Sequence, residues 1–236
     1  MPARSTKLPA AVRKQAILMA AAPVFARMGQ TGATTKEIAK AAGISEALLY
    51  RHFPGKEALY AELENHCVEA NAVGDHLLDG ATPSTETLVM GVALLVQAVF
   101  PGIGAPESHE DSKRLFTSSL LGDGQFAKAF LDRHVKPWIG LFERSLQVAR
   151  AVGDVEEGVH AGKAEIWFVH HLANTLHLIS LPGNNVVDYG MTKDELTEIT
   201  VIFLLRGLGL TKAAIDRQYN PKELKNIIRR LAPERP

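Results

Sequence analysis

Basic side chains are concentrated at the N-terminal end of the chain. The first 60 residues hold nine basic and three acidic residues, a net charge of +6, whereas the other 176 residues hold 17 basic and 23 acidic ones. A basic head on an acidic body is typical of a nucleic-acid-binding module fused to a domain with another task. The charged residues of the head are Arg4, Lys7, Arg13, Lys14, Arg27, Lys36, Lys40, Arg51 and Lys56, against Glu37, Glu46 and Glu57.

The segment from Thr34 to Lys56 predicts a helix-turn-helix inside this head. Thr34 and Glu37 have the spacing of a capping box that opens one helix. Gly43 can end that helix, and Ser45 can cap a short one after it. Crossing helices need a turn glycine, small residues at the close approach and apolar anchors. These needs are met by Ala39, Ala42, Gly43, Ile44 and Leu49. A helical hairpin with no DNA role is the alternative, and the concentrated positive charge favours DNA.

Apolar residues recur at three- and four-residue spacing along the whole chain, which predicts an all-α fold. The expected first helix runs from about Ala10 to Met28, with Gly29 as its stop. Pro23 lies inside it, so we expect either a kink or a helix that depends on its packing. The expected domains are a three-helix DNA-binding head at 10–56, followed by a linking helix from Lys56 towards His76, and a helical ligand-binding and dimerisation domain at 57–236.

The body is expected to form further helices separated by loops rich in glycine and proline. The helices are placed near 85–100, 110–121, 125–150, 159–181 and 192–208, with a C-terminal segment after Asn220-Pro221. The loops are placed at 101–107, 122–124 and 182–190.

The segment TTKEIAKAAGISEALLYRHFPGKEALY closely resembles the signature of the TetR family of transcriptional regulators. The shared features are a Thr entrance, Ile-Ala, Ala-Gly-aliphatic-Ser, Leu-Tyr, His-Phe and a Lys at the start of the fourth helix. The resemblance is specific over about residues 13–63, and beyond that only the helical layout is alike. It implies a regulator, most often a repressor, that a small molecule releases from DNA.

This resemblance implies that Thr35, Tyr50, His52 and Lys56 contact DNA phosphates. Hydroxyl, imidazole and ammonium groups are suitable phosphate partners, and the first turn of the fourth helix offers free backbone N–H groups. Other interpretations stay open, since the Tyr50 ring could pack in the small core and Lys56 could be a solvated charge. Thr34 is better explained as a cap than as a contact.

Base reading is expected from the start of the recognition helix, at Ser45, Glu46, Ala47 and Leu48, with Arg51 nearby. Glu46 could accept from a cytosine amino group, and Ala47 or Leu48 could press on a thymine methyl. Glu46 could equally be a first-turn carboxylate favoured by the helix dipole.

Three residues depart from the family pattern. Leu48 is bulkier than the usual small or hydroxyl residue, Gly55 replaces a hydroxyl cap, and Pro23 interrupts the first helix. They leave the DNA-binding hypothesis intact and concern the operator sequence and the stability of the head.

A homodimer is expected, because one short recognition helix reads only a few base pairs and a palindromic double-stranded operator presents two half-sites. The candidate surfaces are the helices near 164–181 and 192–210. Both are apolar around more of their circumference than one core needs, and Gly207 and Gly209 allow close approach. The resemblance implies a four-helix bundle with the partner at this place. Ordinary core helices are the alternative.

A small-molecule effector site is expected between the head and these helices. Aromatic side chains would supply the apolar area, at Phe100, Phe116, Phe126, Phe130, Trp138, Phe142 and Trp167. Polar side chains could orient the ligand, at His134, His171, Asn174 and His177. For any one of these residues, core packing is the stronger interpretation.

Composition excludes several other classes. No apolar run is long enough to span a bilayer, and the basic N-terminus lacks the pattern of a secretion signal, so we expect a cytoplasmic protein with no membrane contact. Cys67 is the only cysteine, which excludes an intrachain disulfide. We expect no cofactor, no metal and no enzymatic activity.

The alternatives to a regulator are an enzyme and an adaptor that has lost DNA binding. An enzyme would draw on His170, His171, His177 and Glu165, but neighbouring histidines diverge by about 100° on a helix and no His-Glu-x-x-His pattern occurs. The presence of Tyr50, His52 and Lys56 together with the basic head argues against the adaptor.

Overall fold

The chain is helical throughout the part that the structure describes. The structure, a computed structural model, describes residues 9–70, 80–100, 107–180 and 186–231, without the side chains of residues 70, 107–111 and 228–231. The helices are α1 Ala10–Gly32, α2 Thr35–Ala41, α3 Glu46–His52, α4 Lys56–Ala70, α5 Thr85–Val99, α6 Glu107–Leu120, α7 Gln125–Phe130, α8 Lys136–Ala151, α9 Lys163–Ser180, α10 Lys193–Gly207, α11 Lys212–Gln218 and α12 Pro221–Leu231. Within these ranges no β-strand forms, apart from an isolated bridge between Val155 and Leu210. The predicted all-α class is confirmed.

Some predicted features lie outside the described residues. These are the extension of the linking helix towards His76, most of the loop at 101–107, the first part of the loop at 182–190, and the basic residues Arg4 and Lys7. None of the helices in the described part is long and apolar enough to cross a membrane.

The first helix continues through Pro23 and ends its regular course at Gly29. The only non-helical backbone inside α1 is at Gly29, where φ is 68° and ψ is 173°. This left-handed conformation suits glycine and explains the predicted stop. Pro23 keeps helical dihedrals, and its neighbours Ala22, Val24 and Phe25 are buried. Packing therefore sustains the helix across the missing backbone donor, which is the second of the two expected outcomes.

Described residues 9–70 and 107–133 form one compact unit, which we call the head unit. Its core is apolar and draws on α1, α2, α3, α4, α6 and α7. Its largest fully buried side chains are Phe25, Phe53, Phe126, Ile17, Ile38, Leu49, Leu59, Leu63 and Leu115. The head unit therefore includes two helices, α6 and α7, that lie far from the DNA-binding segment in sequence. The functional division at residue 56 stays a prediction.

Described residues 80–100, 134–180 and 186–231 form the second compact unit, the body unit. Helix α5 packs against α8, α9, α10, α11 and α12. At Gly91 of α5 an added Cβ would lie 2.4 Å from Cε1 of Phe142, so the Phe142 ring occupies the space that glycine leaves. The side chain of Asp154 accepts hydrogen bonds from Thr85 Oγ1 and Arg217 Nη2, each at 2.7 Å. These bonds lower the pKa of Asp154 and link three elements of the unit.

The single helix expected over 125–150 is divided by a π-helical turn at Leu131–Val135. Pro137, at the start of α8, explains the division. It has no N–H for the carbonyl of Arg133, and its ring excludes a regular α-turn at that place. The wider π-turn accommodates both effects.

Candidate nucleic-acid interface

Helix α2 begins with the capping box that the sequence predicts. The Glu37 N–H donates to Thr34 Oγ1 at 3.2 Å, and the Thr34 N–H donates to the Glu37 carboxylate at 3.1 Å. The Thr34 hydroxyl also donates to this carboxylate, at 2.7 Å. These hydrogen bonds from Thr34 lower the pKa of Glu37. Thr34 is thus a cap, and its hydroxyl is engaged within the helix start.

The turn between α2 and α3 has the geometry of a helix-turn-helix. Gly43 has a φ of +65°, and no side chain would clash with an added Cβ there, so the left-handed backbone alone explains glycine. The Ile44 N–H closes the turn on the carbonyl of Ala39 at 3.0 Å. Ser45 then caps α3, because its Oγ accepts from the Leu48 N–H at 3.2 Å. Ser45 therefore has a structural role, and base contact by Ser45 stays a prediction.

Apolar anchors fix both helices to the head unit. Ile38 and Ala39 of α2 are buried, as are Leu49 of α3 and Phe53 immediately after it. Lys14 of α1 lies over the Phe53 ring at 5.3 Å and pairs with Glu62 of α4 at 2.5 Å. The recognition helix is consequently held on its inner side, which leaves the opposite side open.

The open side of α3 carries the residues predicted to contact DNA. Glu46, Ala47 and Arg51 are exposed, and Leu48 and His52 are half-buried. The Tyr50 side chain is 50% exposed, so its ring is not a core side chain. Residues four apart share a helix face, so Glu46 lies beside Tyr50 and Ala47 beside Arg51.

Hydrogen bonds connect three of the predicted contact residues. Tyr50 Oη donates to Thr35 Oγ1 at 3.4 Å, and Thr35 Oγ1 donates to Glu46 Oε2 at 2.9 Å. We call this set the Tyr50–Thr35–Glu46 chain. It joins a predicted base reader to two predicted phosphate contacts across the α2–α3 crossing. Sequence analysis missed this connection, since Thr35 and Glu46 are separated by 11 positions and no motif links them.

Lys56 is more than a solvated charge. Its Nζ donates to the carbonyl oxygens of Ala33 at 3.1 Å and Thr31 at 3.3 Å. The first of these carbonyls follows α1 and the second belongs to its last turn, so the lysine fastens the start of α4 to the end of α1, just before the helix-turn-helix. An ammonium has three hydrogens, and the third can serve a phosphate. At Gly55, which precedes Lys56, an added Cβ would lie 3.2 Å from Oε2 of Glu57.

The predicted ligand residues are divided between the two units. Phe116, Phe126 and Phe130 belong to the head unit, where Phe130 meets the other two rings edge-on at centroid distances of 5.5 and 6.1 Å. All three pack in or against the head core. These rings have the packing of core residues, and a ligand-binding role for them stays a prediction.

The other predicted ligand residues belong to the body unit. Phe100 and Trp138 are buried there. Trp167 stacks on His171 at a centroid distance of 5.7 Å, and His171 is exposed. Asn174 and His134 are half-buried. Their role in ligand binding is likewise a prediction.

A cavity of about 290 Å³ lies between α8 and the start of α9 within the body unit. Its lining is mixed and consists of Glu143, Leu146, Gln147, Arg150, Ala161, Gly162, Lys163 and Ile166. None of the predicted ligand residues is among them. In the described part of the chain, no group of three or more His, Cys, Asp or Glu side chains could hold a metal ion.

Large apolar side chains are exposed on the two helices predicted to form the dimer surface. Phe168 of α9 is 56% exposed, and Ile199 and Phe203 of α10 are 52% and 64% exposed. The two helices pack against each other, and other apolar residues of both, such as Val169 and Leu205, are buried. Core packing therefore accounts for one side of each helix only.

The head matches a known family model. Residues 17–63 match the model described as bacterial regulatory proteins, tetR family. A curated relative, the HTH-type transcriptional activator FasR of Mycolicibacterium smegmatis, is 36% identical over 85 residues. That match covers 36% of this chain and 36% of FasR, so the chain spans about a third of the relative it matches.

Solved structures share the fold over most of the chain. AibR, crystallised with isovaleryl coenzyme A and operator DNA, has a TM-score of 0.60 at 18% identity, covering 81% of this chain and 97% of AibR. The ketosteroid transcriptional regulator KstR2 of Mycobacterium tuberculosis has a TM-score of 0.58 at 19% identity, covering 85% of this chain and 95% of KstR2. At these identities the likeness establishes the fold alone.

The fold and the head define a helix-turn-helix protein with an all-helical body. Over residues 17–63 the head matches the family model of the tetR family of bacterial regulatory proteins, and most of the chain shares its fold with solved regulators such as KstR2. The matched proteins are regulators rather than enzymes.

Proposed function

We propose that this chain binds a palindromic DNA operator as a homodimer and that a small molecule controls its affinity for that operator. The open face of α3 on a basic head is the observation that carries the proposal. It exposes Glu46, Ala47 and Arg51 while the opposite side is anchored in the core. A short helix presented in this way fits the major groove.

Each contact residue has a proposed task. Thr35, Tyr50, His52 and Lys56 bind phosphates and set the position of the head on the duplex, whereas Ser45, Glu46, Ala47, Leu48 and Arg51 face the base edges. The match of the head to the family model supports this assignment. Phosphate contacts of this kind make binding strongly dependent on salt.

Dimerisation is proposed through α9 and α10. A monomer would expose the large apolar side chains of Phe168, Ile199 and Phe203 to water, which is unfavourable in free energy. A second copy of the chain would cover them. A dimer presents two recognition helices. It therefore binds more tightly and reads more base pairs than a single seven-residue helix can.

The effector is proposed to bind the body unit and to lower the affinity for DNA, because release requires a ligand that prefers one of two states. Its chemical class is open to a direct screen. The first compounds to screen are small hydrophobic and cationic ones. An acyl-coenzyme A thioester is added because AibR was crystallised with one. We propose that the chain represses transcription. Because the relative FasR is named an activator, a reporter-gene assay must distinguish repression from activation.

Selection from random duplex DNA tests the proposal. The purified protein should enrich a sequence with two related half-sites, and fluorescence anisotropy should show binding to it that weakens steeply between 50 and 200 mM salt, by about 10³-fold or more for six or more phosphate contacts. Enrichment of no sequence, together with no binding that depends on salt, would contradict DNA binding. Sedimentation of Phe203→Glu, which should dissociate, separately tests the dimer.

A further inference from the structure

The Tyr50–Thr35–Glu46 chain has a direction. Each hydroxyl has one hydrogen to donate. Tyr50 gives its hydrogen to Thr35 at 3.4 Å, and Thr35 gives its hydrogen to the Glu46 carboxylate at 2.9 Å. In this arrangement neither hydroxyl has a hydrogen left for a phosphate oxygen, which can only accept.

The carboxylate at the end of the chain is exposed and lacks a basic partner. In the part of the chain that the structure describes, no lysine, arginine or histidine forms an ion pair with Glu46. A full negative charge therefore lies beside two hydroxyls on a surface that is otherwise rich in positive charge. Phosphates that approach Thr35 and Tyr50 meet this charge at close range and are repelled.

One arrangement on DNA eases both problems. If a cytosine amino group donates to the Glu46 carboxylate in the major groove, it stabilises the negative charge and holds the carboxylate at the base edge, so that the carboxylate holds the Thr35 hydrogen less strongly. Thr35 can then turn its hydrogen to a phosphate, and Tyr50, whose 3.4 Å bond to Thr35 is the longer of the two, can turn its own hydrogen to a phosphate as well. On a duplex without a suitably placed amino group, Glu46 stays on Thr35 and the phosphate contact is incomplete.

We propose that Glu46 is a specificity-determining residue that withholds the Thr35 hydroxyl from phosphate until its carboxylate accepts from a cytosine on the base edge. This proposal rests on the proposed DNA binding and deepens it. Base reading and phosphate binding are therefore coupled through Thr35. The protein discriminates against non-operator DNA by lowering its affinity for that DNA as well as by raising its affinity for the operator.

The test compares two duplexes, the sequence that the wild-type protein selects and a scrambled version of it. Dissociation constants are measured by fluorescence anisotropy for wild type, Glu46→Ala, Glu46→Gln, Thr35→Val and the Glu46→Ala/Thr35→Val double variant. Glu46→Ala should bind the scrambled duplex about fivefold or more tightly than wild type, and the ratio of the two dissociation constants should fall by about tenfold. Glu46→Gln, which keeps an acceptor for Thr35 but loses the charge, should lie between the two proteins.

The Thr35 variants test the coupling itself. The gain in Glu46→Ala has one part from the released Thr35 hydroxyl and one part from the removed charge. Adding Thr35→Val should abolish the first part, so the gain on the scrambled duplex should fall to about that of Glu46→Gln. Replacing the selected C·G pair by T·A should weaken wild type by about tenfold and leave Glu46→Ala nearly unaffected. Thermal melting establishes that every variant is folded before its affinity is compared.

Glu57→Ala is the matched control, because Glu57 is also an exposed first-turn glutamate of the head and its removal changes the net charge equally. The role of Glu46 would be overturned if Glu57→Ala gained as much affinity for the scrambled duplex as Glu46→Ala. It would also be overturned if Glu46→Ala changed the affinity for both duplexes equally or changed neither. A wild-type protein that selects no sequence would instead overturn the proposed function, so the two failures are distinguishable.

Discussion

The recognition helix and the aromatic clusters of the chain place their aromatic side chains in opposite environments. On α3 the tyrosine is half exposed and its hydroxyl belongs to a hydrogen-bonded chain that reaches the surface. The rings of Phe116 and Phe126 are buried in the head core, where each meets the ring of Phe130. An aromatic residue thus indicates a binding role only when its local frame holds it away from the core.

Phe126→Ala should produce the largest effect. The ring is 1% exposed, and truncating a buried phenylalanine costs about 3–5 kcal/mol of the free energy of unfolding. Urea denaturation measures the loss. Val152→Ala, at a site that is 63% exposed, should stay within about 0.5 kcal/mol of wild type. A loss below about 1 kcal/mol at Phe126 would mean that the ring is not a core element, which would reopen its assignment to a ligand site.

Lys56→Met should weaken both folding and binding. The ammonium donates to the carbonyl oxygens of Thr31 and Ala33 at the end of α1. Hydrogen bonds from a charged donor contribute about 1.5–3 kcal/mol, so a loss of about 2 kcal/mol in the free energy of unfolding is expected. The slope of log affinity against log salt should become shallower by about two for the dimer, because the variant binds one phosphate fewer in each of the two heads.

Lys36→Met is the matched control for stability, since Lys36 is exposed on α2. It should leave the free energy of unfolding within about 0.5 kcal/mol of wild type. If Lys56→Met has equally little effect on stability while the salt slope falls, the lysine is a phosphate contact alone and the two carbonyl bonds are unimportant.

Tyr50→Phe should separate binding from folding. Loss of the hydroxyl should reduce operator affinity by about tenfold, as expected for one hydrogen bond to a charged group, with the free energy of unfolding unchanged within about 0.5 kcal/mol. Tyr60→Phe is the matched control, because Tyr60 is buried and hydrogen-bonds to Glu64. It should lower stability by about 1 kcal/mol and leave operator affinity unchanged. If Tyr50→Phe instead lowered stability and Tyr60→Phe instead lowered operator affinity, the contrast between the surface and the core would be wrong.

The same contrast explains what sequence could predict. The capping box at Thr34 and the turn at Gly43 depend on residues within a few positions of each other, so their spacing alone indicates the structure. The hydrogen bond from Thr35 to Glu46 depends on the crossing of two helices, which a linear pattern does not specify. Helices α6 and α7 enter the head core from a distant part of the sequence, and the aromatic residues there gave no local sign of which core they enter.

The smallest predicted effect is a dependence on pH at Glu64 of α4. The pKa of this carboxyl is raised to about 7. Burial is the largest cause, the hydrogen bond from Tyr60 acts in the opposite direction, and the charge of Asp123 adds to the rise. In the unfolded chain the pKa returns to about 4.3. The folded state therefore holds the proton more tightly, and this group stabilises the fold increasingly as the pH falls from about 7.5 to 4.5.

Because Glu64 is only partly buried, solvent screening should limit the gain to about 1 kcal/mol or less. Other carboxylates oppose it, since the pKa values of Glu37 and Asp154 are lowered and their contributions disappear only at more acidic pH. The difference between wild type and Glu64→Gln isolates the effect. Urea denaturation at pH 7.5, 6 and 5 should show wild type gaining stability relative to Glu64→Gln as the pH falls. Glu62→Gln, at an exposed ion pair with Lys14, should show no such gain. The free energies of unfolding of wild type and Glu64→Gln could instead differ by a constant amount over this range. That result would mean that the Glu64 carboxyl has an ordinary pKa and that packing of α4 in the head core does not bury it.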